Sequence, residues 1–253
     1  MCADKRTGAV ALQGLEVQVG AAKVAKYAAG PSGDTLEIIE RPRGGLSAVL
    51  VDGQRSGRPA RVISNIAARK AVSLLGEGVR DGAVGRAVHD YLRTHRGGQV
   101  SAELQMVSAD LATRTLVISR NARCPSYVYT EGTLRALEDD SQPIGIHDNT
   151  KPSIVELPMA PWTYVVQCTD GLSLALSGPG AEEALDVALG RLLETRPEAQ
   201  ELAEALLEAG LRAEAQRPRD DISVLVMALV PDTTAGRIRR LSARMPVEPP
   251  IRP

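Results

Sequence analysis

The run I-S-V-L-V-M-A-L-V at 222–230 constrains the fold more than any other stretch of the chain. It reads as a strand. Two Ala/Leu/Glu-rich helices, at about 181–194 and 198–213 and divided by Pro197, stand directly before it. Its pairing partners must therefore come from a sheet begun much earlier. That requirement favours one domain over two, although 253 residues would suffice for either.

The earlier segments supply those partners. Leu15 to Lys26 alternates roughly, with Val17, Val19 and then Val24, as an edge or half-buried strand does. T-L-E-I-I-E-R (35–41) and L-S-A-V-L-V-D (46–52) read as two strands joined by the turn R-P-R-G-G. Pro59 opens a helix whose apolar positions are Val62, Ile66, Ala67, Ala71, Leu74 and Leu75, and a second helix runs from Gly82 to about His95. Then come A-E-L-Q-M-V-S-A-D, T-L-V-I-S-R and S-Y-V-Y-T, separated by the turn material D-L-A-T-R, N-A-R-C-P and E-G-T. Further strands are expected at 153–157 and 162–169. The pattern predicts an α+β layered domain over 15–231 in which helices cover sheets. Residues 1–14 are read as a flexible N-terminus and 232–253 as a basic, Pro-rich tail.

Composition removes several classes of function. A net charge of −1 gives no global field to attract nucleic acid or a membrane surface, and no apolar run is long enough to span a bilayer. The apolar stretch near the N-terminus is too short for a signal peptide. Cys2, Cys124 and Cys168 form neither a zinc pattern nor a disulfide framework, so a cytoplasmic location is expected. With no Phe and one Trp, the core must be built from Leu, Val, Ile and Ala.

Four acidic positions stand at strand edges: S-G-D-T (32–35), V-D-G (51–53), T-D-G (169–171) and R-D-D-I-S (219–223). A single Asp-Gly pair is most often a turn. Several carboxylates converging on one sheet edge repel, and they stay ionised together only around a cation. Hard divalent ions such as Mg²⁺ and Mn²⁺ take oxygen ligands, and a glycine after the ligand leaves its carbonyl accessible.

These motifs, in this order, resemble the metal-dependent protein phosphatases (PPM) in their bacterial SpoIIE/RsbX-type branch. The resemblance rests on G-D at 33–34, D-G-Q-R-S-G at 52–57, N-A-R-C-P at 121–125, Q-P-I-G-I at 142–146, T-D-G at 169–171 and D-D-I-S at 220–223. It covers roughly residues 15–230 and implies a four-layer αββα sandwich of two antiparallel sheets flanked by helix pairs. By resemblance, Asp52 would bridge two metals, Mn²⁺ or Mg²⁺, with Gly53 lending its carbonyl. Asp34 would bind the second ion, Asp170 and Asp220 would complete the first, and Asp221 is a neighbour of that set. A third ion is left open. The family attacks phosphoserine or phosphothreonine with activated water and no phospho-enzyme, so Asp34, Asp52 and Asp170 become the catalytic candidates. Related branches suggest a signalling phosphoprotein of STAS type, in a stressosome or anti-anti-sigma system, as substrate and partner.

Two departures from the family pattern stand out. No histidine follows Asp52-Gly53, and Arg123-Cys124 replaces the usual Gly-His of the N-A-R-C-P segment. The altered segment and the basic tail motivate an alternative, a phosphatase-like regulator that binds a phosphoprotein without turnover. Arg55 is a candidate substrate-binding residue, because a guanidinium matches phosphate oxygens, or else a solvated loop residue. His89 and His95 are read as solvent-facing and His147 as a loop residue. Cys124 and Cys168 are read as small hydrophobes, and Thr169 as packing or capping a strand end.

Overall fold

The computed structural model describes residues 14–232 and 238–246, so the expected flexible N-terminus, apart from Gly14, and much of the tail lie outside the described residues. In chain order the strands β1 (Leu15–Val24), β2 (Thr35–Glu40) and β3 (Gly45–Gly53) are followed by helices α1 (Gly57–Gly76) and α2 (Asp81–Arg96). A block of strands comes next: β4 (Ala102–Asp110), β5 (Thr115–Asn121), β6 (Ser126–Thr130), β7 (Thr133–Leu137), β8 (Ser153–Pro158) and β9 (Thr163–Cys168). Helices α3 (Asp170–Ser177), α4 (Leu185–Leu193) and α5 (Ala199–Ala213) then lead to β10 (Ile222–Pro231).

Two antiparallel five-stranded sheets result, ordered β1-β10-β9-β6-β7 and β2-β3-β4-β5-β8. The last strand inserts where its position in the chain demands. It pairs with β1 from Val24↔Ile222 to Leu15↔Pro231 and with β9 on its other side.

Period-two alternation explains how central strands can be apolar throughout. Ala48 and Leu50 of β3 face the other sheet and pack, with Val107 and Ile118 of their own sheet, against Val165, Leu225 and Met227 of the other. Val49 and Val51 face α1 and α2, packing with Ala67, Ala71, Leu75, Val84 and Leu92. On the opposite side Val166, Val224 and Val226 pack beneath Leu172, Leu189, Leu202 and Leu206 of α3, α4 and α5. The layers are thus helices, sheet, sheet, helices, as expected. Each fully buried Leu or Val contributes about 1.5–3 kcal/mol, which makes these three apolar layers the main source of stability.

Buried polar ties set the register of the layers. Arg41 spans the sheet–helix boundary, donating to Asp81 Oδ2 (2.9 Å) at the start of α2, to Ser108 Oγ (3.1 Å) on β4 and to the Val79 carbonyl (3.0 Å). Gln105 crosses between the sheets, its Nε2 donating to the Cys168 carbonyl at 2.7 Å. That bond fixes the end of β9 against β4.

The structure corrects four readings. The buried stripe of α1 runs through Ala60, Ile63, Ala67, Ala71 and Leu75, leaving Val62 48% exposed. The segment after E-G-T continues as β7, an edge strand whose exposed face lacks a clear apolar alternation. T-D-G also opens a helix, α3, which is too short for a periodic pattern to announce it. His89 is buried, not solvent-facing. Its Nδ1 accepts the N–H of Gly145 (3.1 Å), pinning the Q-P-I-G-I loop to α2, and burial lowers its pKa.

The close approach of α5 to β1 depends on one glycine. A Cβ at Gly20 would sit 2.2 Å from the Ala199 backbone carbonyl, while Gln200 holds both the N–H and the carbonyl of Ala21. Gly20→Ala should therefore cost about 2 kcal/mol or more and lower the melting temperature by at least about 4 °C. Gly30→Ala, where the added methyl meets open space, should leave it nearly unchanged in the same thermal unfolding experiment.

Candidate metal centre

Sheet ends that carry aspartate converge at one edge of the sandwich. Asp52 is the penultimate residue of β3, on the same strand face as Leu50, and lies in register opposite Glu103 of β4. Like charges placed directly opposite repel. Burial, followed by Asp34, Asp170, Glu103 and Asp220, pushes the Asp52 carboxyl up to about 9. Asp52 therefore feels the aspartates expected from three other segments, together with a glutamate that sequence reading missed.

Asp34 precedes β2 and is 1% exposed. Its Oδ2 accepts hydrogen bonds from Ser223 Oγ (2.6 Å) and Thr169 Oγ1 (3.3 Å). Its Oδ1 is buried and has no hydrogen-bond partner among the described residues. Burial raises its pKa to about 6, with Ser223 pulling the other way and Asp221 adding to the rise. Thr169 does more than end a strand. It bonds Asp34 with its hydroxyl, and that same oxygen accepts the Ser223 N–H.

The two aspartates of D-D-I-S do different things. Asp221 accepts the N–H of Lys26 with Oδ1 (2.9 Å) and that of Gly33 with Oδ2 (2.8 Å), stapling the loop before Asp34 to the start of β10. Asp220 accepts only the adjacent Asp221 N–H with Oδ1 and is half-buried on the Asp52 side. Asp170 occupies the first turn of α3, where its pKa is raised by burial and by Asp220.

Glycines make these approaches sterically possible. A Cβ on Gly53 would lie 2.1 Å from the Ala60 carbonyl oxygen, and one on Gly171 would lie 2.1 Å from the Asp221 carbonyl oxygen. The Asp-Gly pairs at these two strand ends are therefore packing requirements as well as turns. Arg55 sits beyond Gly53 at φ 77, exposed and without an ion pair or hydrogen bond among the described residues. Cys124 and Cys168 are buried near each other beside Ser173 Oγ, at 3.6 and 3.9 Å, away from solvent as small hydrophobes are.

An all-oxygen donor set with a buried, unpartnered Asp34 Oδ1 fits a hard divalent ion. Among the described residues no three His, Cys, Asp or Glu side chains are drawn together tightly enough to hold an ion as they stand. Glu103 escaped sequence reading because only the β3–β4 register places it opposite Asp52, and no local motif encodes that register.

The folded chain is similar to solved PP2C-type phosphatases. It superposes on the PP2C phosphatase domain, with a fragment of the regulatory domain, of SpoIIE from Bacillus subtilis, with TM-score 0.73 and 22% identity over 87% of this chain and 65% of that one. The RsbU and RsbW domains of a Mycobacterium tuberculosis protein give 0.69 and 18% over 86% of this chain and 61% of that one. The catalytic domain of the serine/threonine phosphatase PstP, solved in complex with two manganese ions, gives 0.64 and 18% over 86% of this chain and 100% of that one. The class that this architecture defines is the PP2C fold. The Stage II sporulation protein E (SpoIIE) family model matches residues 42–230, and the chain belongs to that family. The full-length Stage II sporulation protein E of Bacillus subtilis is 22% identical over 215 residues, 84% of this chain but 26% of that protein, so the chain spans about a quarter of its relative.

The sign of the pH dependence follows from the raised pKa values. With Asp34 near 6 and Asp52 near 9, the metal-free folded state binds more protons than the unfolded state above about pH 4. Its stability must then fall as pH rises from about 4 to 9. Asp52→Asn should raise the melting temperature of the metal-free protein at pH 8 by several °C, and by much less at pH 4, as followed by thermal unfolding in a chelator.

Proposed function

We propose that the chain is a Mg²⁺- or Mn²⁺-dependent protein serine/threonine phosphatase. The observation that carries this reading is the concentration of negative charge at one edge of the sandwich, with half-buried Asp52 raised to about 9 and the Oδ1 of buried Asp34 unpartnered among the described residues. Family membership and the fold support it. Asp52, with the Gly53 carbonyl lent beside it, Asp34, Asp170 and Asp220 would hold the ions. Bound there, the ions supply activated water for in-line attack on phosphorus and neutralise the phosphoryl oxygens.

The chain's own residues position that chemistry. Ser223 and Thr169 orient Asp34 through Oδ2, leaving Oδ1 buried without a hydrogen-bond partner among the described residues. Asp221 fixes the loop that delivers Asp34 rather than adding another open oxygen, so we assign it a positioning role beside the ligands. Gln105 anchors β9 to β4 and so holds Asp170 near Asp52 and Glu103. Among the described residues no helix is long and apolar enough to cross a membrane. A signalling phosphoprotein of STAS type is the proposed substrate and partner, in keeping with the branch of the family that the motifs resemble.

With Mn²⁺ supplied, the protein should hydrolyse p-nitrophenyl phosphate and a phosphoserine protein. Asp170→Asn should lower kcat/KM on the order of a hundredfold. An unchanged rate in Asp170→Asn refutes this site assignment. Tight Mn²⁺ binding without hydrolysis of either substrate would instead indicate the non-catalytic regulator.

A further inference from the structure

A cationic side chain can hold a substrate phosphate beside the metals, and the cations around this site are not equally available. Lys23 Nζ and Arg61 Nη1 both donate to the Asp34 carbonyl and are committed to that loop. Arg55 is exposed on a loop and has no partner among the described residues. Arg123 differs from all three. Its side chain is 82% exposed, yet its Nη1 lies 3.9 Å from Oε1 of Glu103, which is 15% exposed and directly opposite Asp52. Its charge also acts on Asp170.

The backbone beneath Arg123 is held from two sides. Buried Arg120 donates from Nη1 to the carbonyls of Ala122 (2.6 Å) and Cys124 (3.4 Å), and from Nη2 to that of Asp139. On the cluster side, the backbone at Arg123 and Cys124 opposes the rise that burial gives the Glu103 pKa. The loop therefore presents an exposed guanidinium on an anchored backbone at the rim of the carboxylate cluster.

We propose that Arg123 is the phosphate-binding cation of this site, held over the cluster by Glu103 until a phosphate monoester displaces that carboxylate. The inference rests on the phosphatase reading above and adds the residue that recognises the substrate's phosphoryl group. The pair is long, at 3.9 Å, and its guanidinium is solvated, so the guanidinium changes partner at little cost. A phosphate dianion offers it two parallel charge-assisted hydrogen bonds in return. Glu103 acts as a positioning residue and as a competitor for the guanidinium.

Calorimetric titration of inorganic phosphate at saturating Mn²⁺, alongside kinetics on p-nitrophenyl phosphate, tests this. Arg123→Ala should raise the phosphate Kd and the KM about tenfold while kcat stays within about threefold, and Arg123→Lys should recover part of the loss. Glu103→Gln keeps the side chain's shape but removes the competing charge, so it should tighten phosphate binding about threefold. That gain should vanish in the Arg123→Ala background. Unchanged Kd and KM in Arg123→Ala overturn the proposal, as does a Glu103→Gln gain that persists without Arg123, or a loss seen in Arg55→Ala instead. Because phosphate binding needs no turnover, a wild-type protein that binds phosphate through Arg123 and hydrolyses nothing would uphold this assignment while refuting the phosphatase reading.

Discussion

Carboxylates crowded at one edge of a two-sheet sandwich are the constraint around which this molecule is organised. Asp52 and Glu103 face each other across β3 and β4, and Asp34, Asp170 and Asp220 add to the same field. Alone, this edge disfavours the folded, ionised state. The apolar layers outweigh it, since each buried Leu or Val contributes about 1.5–3 kcal/mol and three continuous layers of them clamp the strands. The strand ends stay put because they are extensions of those clamped strands. The charge they carry therefore does not open the sandwich.

A set of positioning contacts turns strand ends into a site. Asp221 holds Lys26 and Gly33, Thr169 and Ser223 hold Asp34, and Gln105 ties β4 to β9. The glycines at 53 and 171 let α1 and the start of β10 come within a distance that any side chain would block. Residues that look like alternatives in the sequence are thereby sorted by geometry. Asp220 and Asp221 are adjacent and chemically identical, yet one spends both oxygens on backbone N–H groups while the other faces Asp52.

Much of this was legible in the sequence where signals are local. The layered α+β order, the strand ending in Asp52 and the late insertion of β10 follow from apolar runs and turn residues. The acidic strand ends, too, are visible as Asp-Gly and Asp-Asp pairs. What escaped is non-local or short. Glu103 gains its place only from the β3–β4 register, and His89 is buried only because the Gly145 loop folds back onto α2. Helix α3 is shorter than the window in which a helical period can be read, and strand β7 lacks a clear apolar alternation. Val62 shows the same limit on a long helix, where an apolar residue one position off the buried stripe faces water.

The central claim is that this edge is a binding site for two divalent cations. Calorimetric titration of Mn²⁺ into the metal-free protein near pH 7.5, in buffers of different ionisation enthalpy, tests it most directly. The account predicts two equivalents bound with net proton release, because Asp52, raised to about 9, must give up its proton to coordinate. Binding of neither equivalent at millimolar Mn²⁺, or binding without any proton released, would contradict it.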